Sequence, residues 1–282
     1  MACVLTTITT ASEFIHNDFS AFSTSLGGAD VGLANRADGV LSNPAGLSRI
    51  VANNTYSVTS FKALETSYLG LFYAKQLPRY SIGFSVINAS INGILITADT
   101  NNDGIYELIS EKKFTGSMYT VTLAKTLFKQ CYIGGNMTFI AQDLVGTKSF
   151  GTANDIGLQW RSLSDRYILG ASVSNIADGN IVWENGTTES IKQTRRIGWS
   201  GQFINQRLTI TNALIHRYKT TIHSGILYRL HPSLSIRLGH NHNSITTGLG
   251  IELNPFSIDF SYEQTNQLIS ESIYKLSLSL AY

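Results

Sequence analysis

The chain of 282 residues is poor in charge: only 14% of it is Asp, Glu, Lys or Arg, against roughly 25% in a typical soluble domain. The two signs nearly cancel at a formal net charge of +2, so nothing marks it as a nucleic-acid binder. No run of 18 apolar residues occurs, which excludes a transmembrane helix. Prolines number four and cysteines two. Cys3 and Cys131 form no CxxC pair, which removes the usual metal-ribbon and dithiol motifs. Cys131, within the strand-like "QCYIGGNMTF", reads as a small buried thiol. The opening "MACVLTTITTASEF" is partly apolar but has no Lys or Arg ahead of it. Residues 1–11 are expected to be the remnant of a secretory signal cleaved near Ala11, a nearly mature chain being the alternative and a lipoprotein role for Cys3 a further reading.

What the chain does have is hydroxyls, amides, 24 glycines and a strong period of two. In "SIYKLSLSLAY" one face carries Tyr274, Leu276, Leu278, Leu280 and Tyr282, the other Lys275, Ser277, Ser279 and Ala281. "PFSIDFSYEQ", "SLSIRLGHN" and "SITTGLGIEL" repeat the pattern. Fourteen such segments are predicted: 53–62, 66–76, 80–89, 117–127, 130–142, 153–162, 166–175, 195–204, 206–215, 220–229, 233–242, 244–253, 255–263 and 271–282. Most have the roughly 9–11 residues that a tilted strand needs to cross a bilayer. Short connections alternate with three long ones, 90–116, 143–152 and 176–194, as in outer-membrane barrels. A soluble sandwich would carry more Lys and Glu on its polar face. The fold class is therefore all-β, an antiparallel transmembrane barrel of about 14 strands over 53–282, preceded by a short helical plug over 12–52. Tyr68, Tyr80, Tyr119, Tyr132, Tyr167, Tyr228 and Tyr262 are expected to form an interfacial girdle. Tyr282, closing an alternating strand, is expected to serve as the signal read by the outer-membrane assembly machinery.

Within the plug, "LSNPAGLSRI" places Asn43 as an N-cap and Pro44 at the first helical position. Ala45, Gly46 and Leu47 then begin one or two helical turns with Leu47 and Ile50 inward. Gly27, Gly28 and Gly32 allow positive φ or close backbone approach. The stretch "GGADVGLANRADGVLSNPAGLSRI" resembles the N-terminal signature of the PorV/PorQ family, related to the FadL-type outer-membrane transport proteins. Arg36 stands where that pattern usually has an acid. "ANDIGLQW" (153–160), "LGASVSNIADG" (169–179), "RRIGWSGQF" (195–203) and "LSIRLGHNH" (234–242) are similar to later family segments. The resemblance implies a fourteen-stranded barrel in the bacterial outer membrane with a hatch in its lumen. It implies transport or type IX-like secretion, acting on secreted partners, or alternatively FadL-like uptake of hydrophobic small molecules such as long-chain fatty acids. Lipids and lipopolysaccharide are the expected surroundings, with no nucleic acid.

Other candidate sites are weaker in pattern. Asp99, Asn101, Asp103 and Glu107 occupy positions 1, 3, 5 and 9 of a calcium loop, with Gly104 at 6, but Ser110 stands where the bidentate Glu belongs. A hairpin turn explains the same letters, so calcium (Ca2+) in the 99–110 loop is an expectation beside the expectation of no cofactor. His240 and His242 share a strand face and continue the apolar side of Leu238, which suits a membrane boundary. Adjacent His223 and Ser224 point to opposite faces and cannot act as a catalytic pair. With no triad, the chain is read as a non-enzyme, an outer-membrane enzyme being a third reading. "RSLSDR" (161–166) and "KQTRR" (192–196) read as solvated ends or contacts to anionic headgroups. "YIGGNM" (132–137) and "GLGIE" (248–252) are the expected places for strand kinks.

Overall fold

The computed structural model describes residues 18–242, 244–266 and 270–282. The expected signal remnant 1–11, Cys3 and the start of the plug lie outside the described residues. The first described segment holds a one-turn helix α1 (Ala21–Ser25) and two 3-10 turns, Ala37–Leu41 and Pro44–Arg49. Sixteen strands follow: β1 (Asn54–Ala63), β2 (Thr66–Gln76), β3 (Ser81–Ala98), β4 (Glu107–Phe128), β5 (Cys131–Leu144), β6 (Thr147–Arg161), β7 (Tyr167–Ser174), β8 (Asn180–Trp183), β9 (Thr188–Ser190), β10 (Thr194–Phe203), β11 (Leu208–His216), β12 (Thr220–His231), β13 (Leu234–His240), β14 (Ser244–Leu253), β15 (Phe256–Asn266) and β16 (Ser270–Ala281).

All but β8 and β9 form one closed antiparallel barrel of fourteen strands, in which each pairs with its neighbour and β16 returns to β1. Closure leaves no edge open to lipid, where an unpaired N–H or C=O has no water to bond. The seam is completed by Asn54 and Tyr282, which exchange backbone hydrogen bonds of 2.8 and 3.0 Å. Rings of Tyr282, Tyr56, Tyr73 and Phe84 follow one another beside the seam, with centroid separations of 6.2, 4.9 and 6.5 Å. Both ends of the barrel chain lie opposite the extended β3–β4 hairpin and the long connection between β7 and β10, which puts them on the periplasmic side of an outer-membrane barrel.

The alternation has the expected sense. Leu276, Leu278, Leu249, Leu238 and Phe260 point outward, while Lys275, Ser277, Thr246, Arg237 and Asp259 are buried inside. Large apolar side chains, aliphatic or aromatic, are exposed on every barrel strand and form the lipid-facing band that places the barrel in the bacterial outer membrane. Tyr80, Tyr119 and Tyr167 are exposed as a girdle requires, and Tyr228 and Tyr262 are half-buried. Tyr68 and Tyr132 correct the girdle expectation. Both are buried in the lumen, because they share phase with luminal Phe72 and Asn136. Cys131, in the opposite phase to Tyr132, is half-buried rather than buried.

The three long connections are also shorter than expected. β3 and β4 continue past the barrel as a hairpin turning at 99–106, because 90–116 keeps enough alternation to pair. β5 and β6 meet at a two-residue turn in which Val145 and Gly146 both have positive φ, the geometry of a tight hairpin. Segment 176–194 contains β8 and β9, and β8 pairs with Ser149–Gly151 of β6 where β7 has ended. The ladders run unbroken within 132–137 and 248–252; the one irregularity beside them is on β4, between Thr126 and Phe128 opposite Tyr132 and Cys131. The glycines there serve a different purpose, set by what they face inside.

Replacing outward Leu249 by Arg should cost about 2–4 kcal/mol of barrel stability, measured by denaturant unfolding in lipid vesicles. An equal loss for Thr221→Arg, whose side chain is half-buried at the luminal cavity, would contradict the assignment of faces.

Candidate functional site

Residues 18–50 lie across the lumen as a hatch. α1 packs against β13–β16, the Ala37–Leu41 turn against β1 and β2, and the Pro44–Arg49 turn against β3–β6. A segment this irregular has many backbone groups without helical partners, and the barrel wall supplies them. Gln76 donates to the Leu47 carbonyl at 2.7 Å, Asn136 to that of Val40 at 2.9 Å, Gln159 to that of Val31 at 3.0 Å and Ser172 to that of Ser42 at 2.7 Å. Thr211 donates to the Ala29 carbonyl, and the Gly27 amide donates to Thr246 at 3.1 Å.

Asn43 acts as the expected N-cap and as a bridge. Its Oδ1 accepts the Ala45 amide at 3.1 Å, while its Nδ2 donates to the carbonyls of Val31 and Leu158, both at 3.0 Å. Pro44 takes the first helical position, although the turn is 3-10 rather than α. Leu47 is fully buried in the luminal apolar cluster, and Ile50 packs at its margin. Gly27 and Gly28 have φ of +67° and +74°. A Cβ on Gly46 would fall 1.2 Å from the Ala34 carbonyl oxygen, so this position admits only glycine.

The wall meets the hatch through glycines of its own. A Cβ on Gly134 would lie 2.5 Å from Pro44 backbone, on Gly157 2.0 Å from Asn43 Oδ1, on Gly170 2.3 Å from the Val31 carbonyl, and on Gly239 2.2 Å from the Gly27 amide nitrogen. Gly225 faces Leu26 backbone, and Gly198 and Gly248 face the side chains of Val31 and Ser25. This is the role of "YIGGNM" and "GLGIE", and four of these glycines lie in the later segments that carry the family resemblance. The signal was legible as glycine in luminal phase within a strand, where it marks close backbone approach.

Arg36 holds the hatch to the opposite wall. It pairs with Asp259 of β15 and, at 3.4 Å, with Asp38; Asp259 pairs in turn with Arg237 at 2.7 Å. Both guanidinium groups lie over the Phe22 ring, at 5.0 and 4.6 Å from its centroid. Burial alone would lower the Arg36 pKa, but Asp259 and Asp38 outweigh it and raise it. The base at a position where the resemblance leads one to expect an acid is thus matched by an acid on the wall.

Above the hatch, toward the outer mouth, a cavity of about 800 Å³ opens. One side shares Phe19, Leu41 and Phe61 with the luminal apolar cluster of β1–β6, which continues through Phe72, Ile87, Met118 and Ile140 to Ile181 and Trp183 of β8. Phe61 stacks on Tyr68 at 4.6 Å, and Phe19 meets both rings at 5.8 Å. The other side carries Asp18, Asp30, Arg196, His223 and Lys275. Asp30 of the hatch accepts a hydrogen bond from Ser42 at 2.8 Å. Its pKa is raised from 3.8 to about 6, first by burial and then by Asp18, against the lowering effects of Ser42, Ser23 and Arg196.

The calcium-loop residues sit apart, at the tip of the β3–β4 hairpin. Asp99 accepts the Asp103 and Gly104 amides at 3.1 and 3.0 Å, Asp103 accepts that of Ile105 at 2.8 Å, and Glu107 is bonded by Thr100 and Asn101. Among the described residues no three His, Cys, Asp or Glu side chains gather as a metal site requires. His240 points outward above Leu238, as expected of a boundary residue.

No protein-family model and no curated protein matches the chain, so the PorV/PorQ resemblance rests on its motifs. Among solved structures it is similar to the toluene transporter TodX of Pseudomonas putida, with 14% identity, a TM-score of 0.67, and 94% of this chain and 98% of that one covered. The deltaS2 mutant of the TodX monoaromatic hydrocarbon channel gives 12% identity and a TM-score of 0.65 over 94% and 99% of the two chains. At such identities the likeness is one of fold: a FadL-like outer-membrane β-barrel.

Two outcomes follow from the hatch geometry. Gly157→Val should unseat the hatch while the barrel still assembles, giving unchanged heat-dependent gel migration but raised single-channel conductance in planar bilayers. Asp30 should make hatch seating pH-dependent. Its folded pKa exceeds its unfolded value, so seating is most stable below about pH 4 and weakens as pH rises to about 6. Hydrogen exchange of residues 29–33, corrected for intrinsic rate, should be slower at pH 4.5 than at pH 7.5 (about 0.1 M salt), and Asp30→Asn should abolish the difference.

Proposed function

We propose that the chain is a passive, FadL-like channel that admits hydrophobic small molecules, monoaromatic compounds or long-chain fatty acids, across the outer membrane. The observation that carries this reading is the cavity above the hatch, whose one side is continuous with the apolar luminal cluster. Its volume of about 800 Å³ suits a ligand of drug size. The aromatic group of Phe19, Phe61 and Tyr68 offers such a ligand a dry surface. The charged side, with Lys275 set 4.5 Å over the Phe61 ring, would orient any polar end. TodX, which shares the fold, is a toluene transporter, and this adds support to a hydrocarbon or similar cargo. A barrel working only through partners bound at its surface, as in the secretion-associated reading, has no use for an apolar interior.

Cells depleted of their own hydrophobic channels and expressing this protein should take up labelled toluene or oleate several-fold faster than cells with an empty vector. Phe61→Asp should remove most of that gain while leaving the amount of assembled barrel unchanged. Equal uptake with and without the protein, for both compounds, would sink the channel reading.

A further inference from the structure

Residues 190–251 contain no Asp or Glu, yet they hold eight Lys or Arg and five of the six histidines. They build β10–β13 and most of β14. Arg207, Arg229 and His231 lie at the periplasmic end and Arg196, His223 and Arg237 face the lumen, which leaves four of the eight cations at the outer end. At the outer end this side of the barrel is low, since three-residue connections, 217–219 and 241–243, join β11 to β12 and β13 to β14. Arg195 is exposed on the outward face of β10, two residues beyond lipid-facing Ile197. Its register partner is His216, two beyond outward Leu214 on β11, and His240 stands likewise beyond Leu238 on β13. At 3.2–3.4 Å per residue these groups sit about 7 Å along their own strands from Ile197, Leu214 and Leu238. They are level with outward Ile245, the register partner of His240, and so at the edge of the lipid-facing band where headgroups begin. Lys219 Nζ lies 2.6 Å from His242 Nε2, linking the two neighbouring turns. Arg195 uses Nε on Gln193 at 2.7 Å. No carboxylate among the described residues pairs with Arg195 or Lys219. The wall across the barrel is different at its outward polar level, where neutral Asn88 and Ser117 bond to each other at 2.8 Å.

We propose that this one-sided basic rim binds the phosphate groups of a phosphorylated glycolipid in the outer leaflet. The rim continues the lipid-facing band directly below it, which supplies the acyl-chain contact. The acid-free cations supply the headgroup contact, with the Arg195 guanidinium suited to bidentate binding of phosphate. This inference rests on the membrane barrel and is independent of what the lumen carries.

Native mass spectrometry of the full chain in mild detergent tests it, with diphosphorylated lipid A and the same lipid after phosphate removal as probes. The wild type should favour the phosphorylated form. R195Q/K219Q should weaken its binding roughly thirty-fold, each cation being worth about five-fold at an anionic surface. Lys62→Gln, on the far wall, should change nothing. Should the double variant fail to fold, judged by heat-dependent gel migration, the two single variants should each lose about five-fold. Equal binding of both lipids by the wild type, an unaltered preference in the variants, or displacement of the lipid by millimolar inorganic phosphate would each overturn the proposal.

Discussion

The structure depends on one constraint: an irregular segment of backbone must lie inside a closed barrel with its peptide groups bonded and no side chains in the way. Glycines on seven strands, from Gly134 to Gly248, let the hatch lie directly on the wall backbone, at Gly134, Gly170, Gly225 and Gly239 backbone against backbone. The side chains beside those glycines, Asn136, Gln159, Ser172, Thr211 and Thr246, then reach the peptide groups that no helix satisfies. Close approach and hydrogen bonding are therefore one arrangement. A single Cβ at 2.0–2.5 Å would undo both, because buried polar groups lose their partners as soon as the distance opens.

The lumen above this floor is divided. β1–β6 present Phe61, Phe72, Ile87, Met118 and Ile140 inward, whereas β13–β16 present Arg237, Thr246, Asp259 and Lys275. This division explains why the early strands alternate weakly and the late ones clearly. Toward its outer end an early strand is apolar on both faces, one toward lipid and one toward the luminal cluster, while Ser57, Thr59, Ser85, Thr120 and Thr122 line the lumen lower down, so its period of two is faint. It also gives the cavity an oily side and a charged side, an arrangement suited to a hydrophobic molecule with or without a polar end.

The charged side has its own logic. Buried ions persist only when paired, and Arg36, Asp38, Asp259 and Arg237 are paired across 223 residues of chain between Arg36 and Asp259. The departure of Arg36 from the expected motif could not be interpreted from the motif itself. Its partner lies on β15, and only barrel closure brings the two together.

By itself the sequence determined the barrel class, the strand number, the sense of the faces and the capped Asn43–Pro44 turn. Each of these follows from local rules: side chains alternate along a strand, and an Asx cap followed by proline starts a helical turn. The tertiary structure decided where the long hairpin of β3 and β4 runs, that Tyr68 and Tyr132 face inward, and that the strand glycines seat the hatch instead of kinking the wall. It also decided that Arg36 meets Asp259 and that an apolar cluster opens onto the cavity. These depend on which residues meet across the lumen, and alternation along one strand carries no information about the strand on the far side.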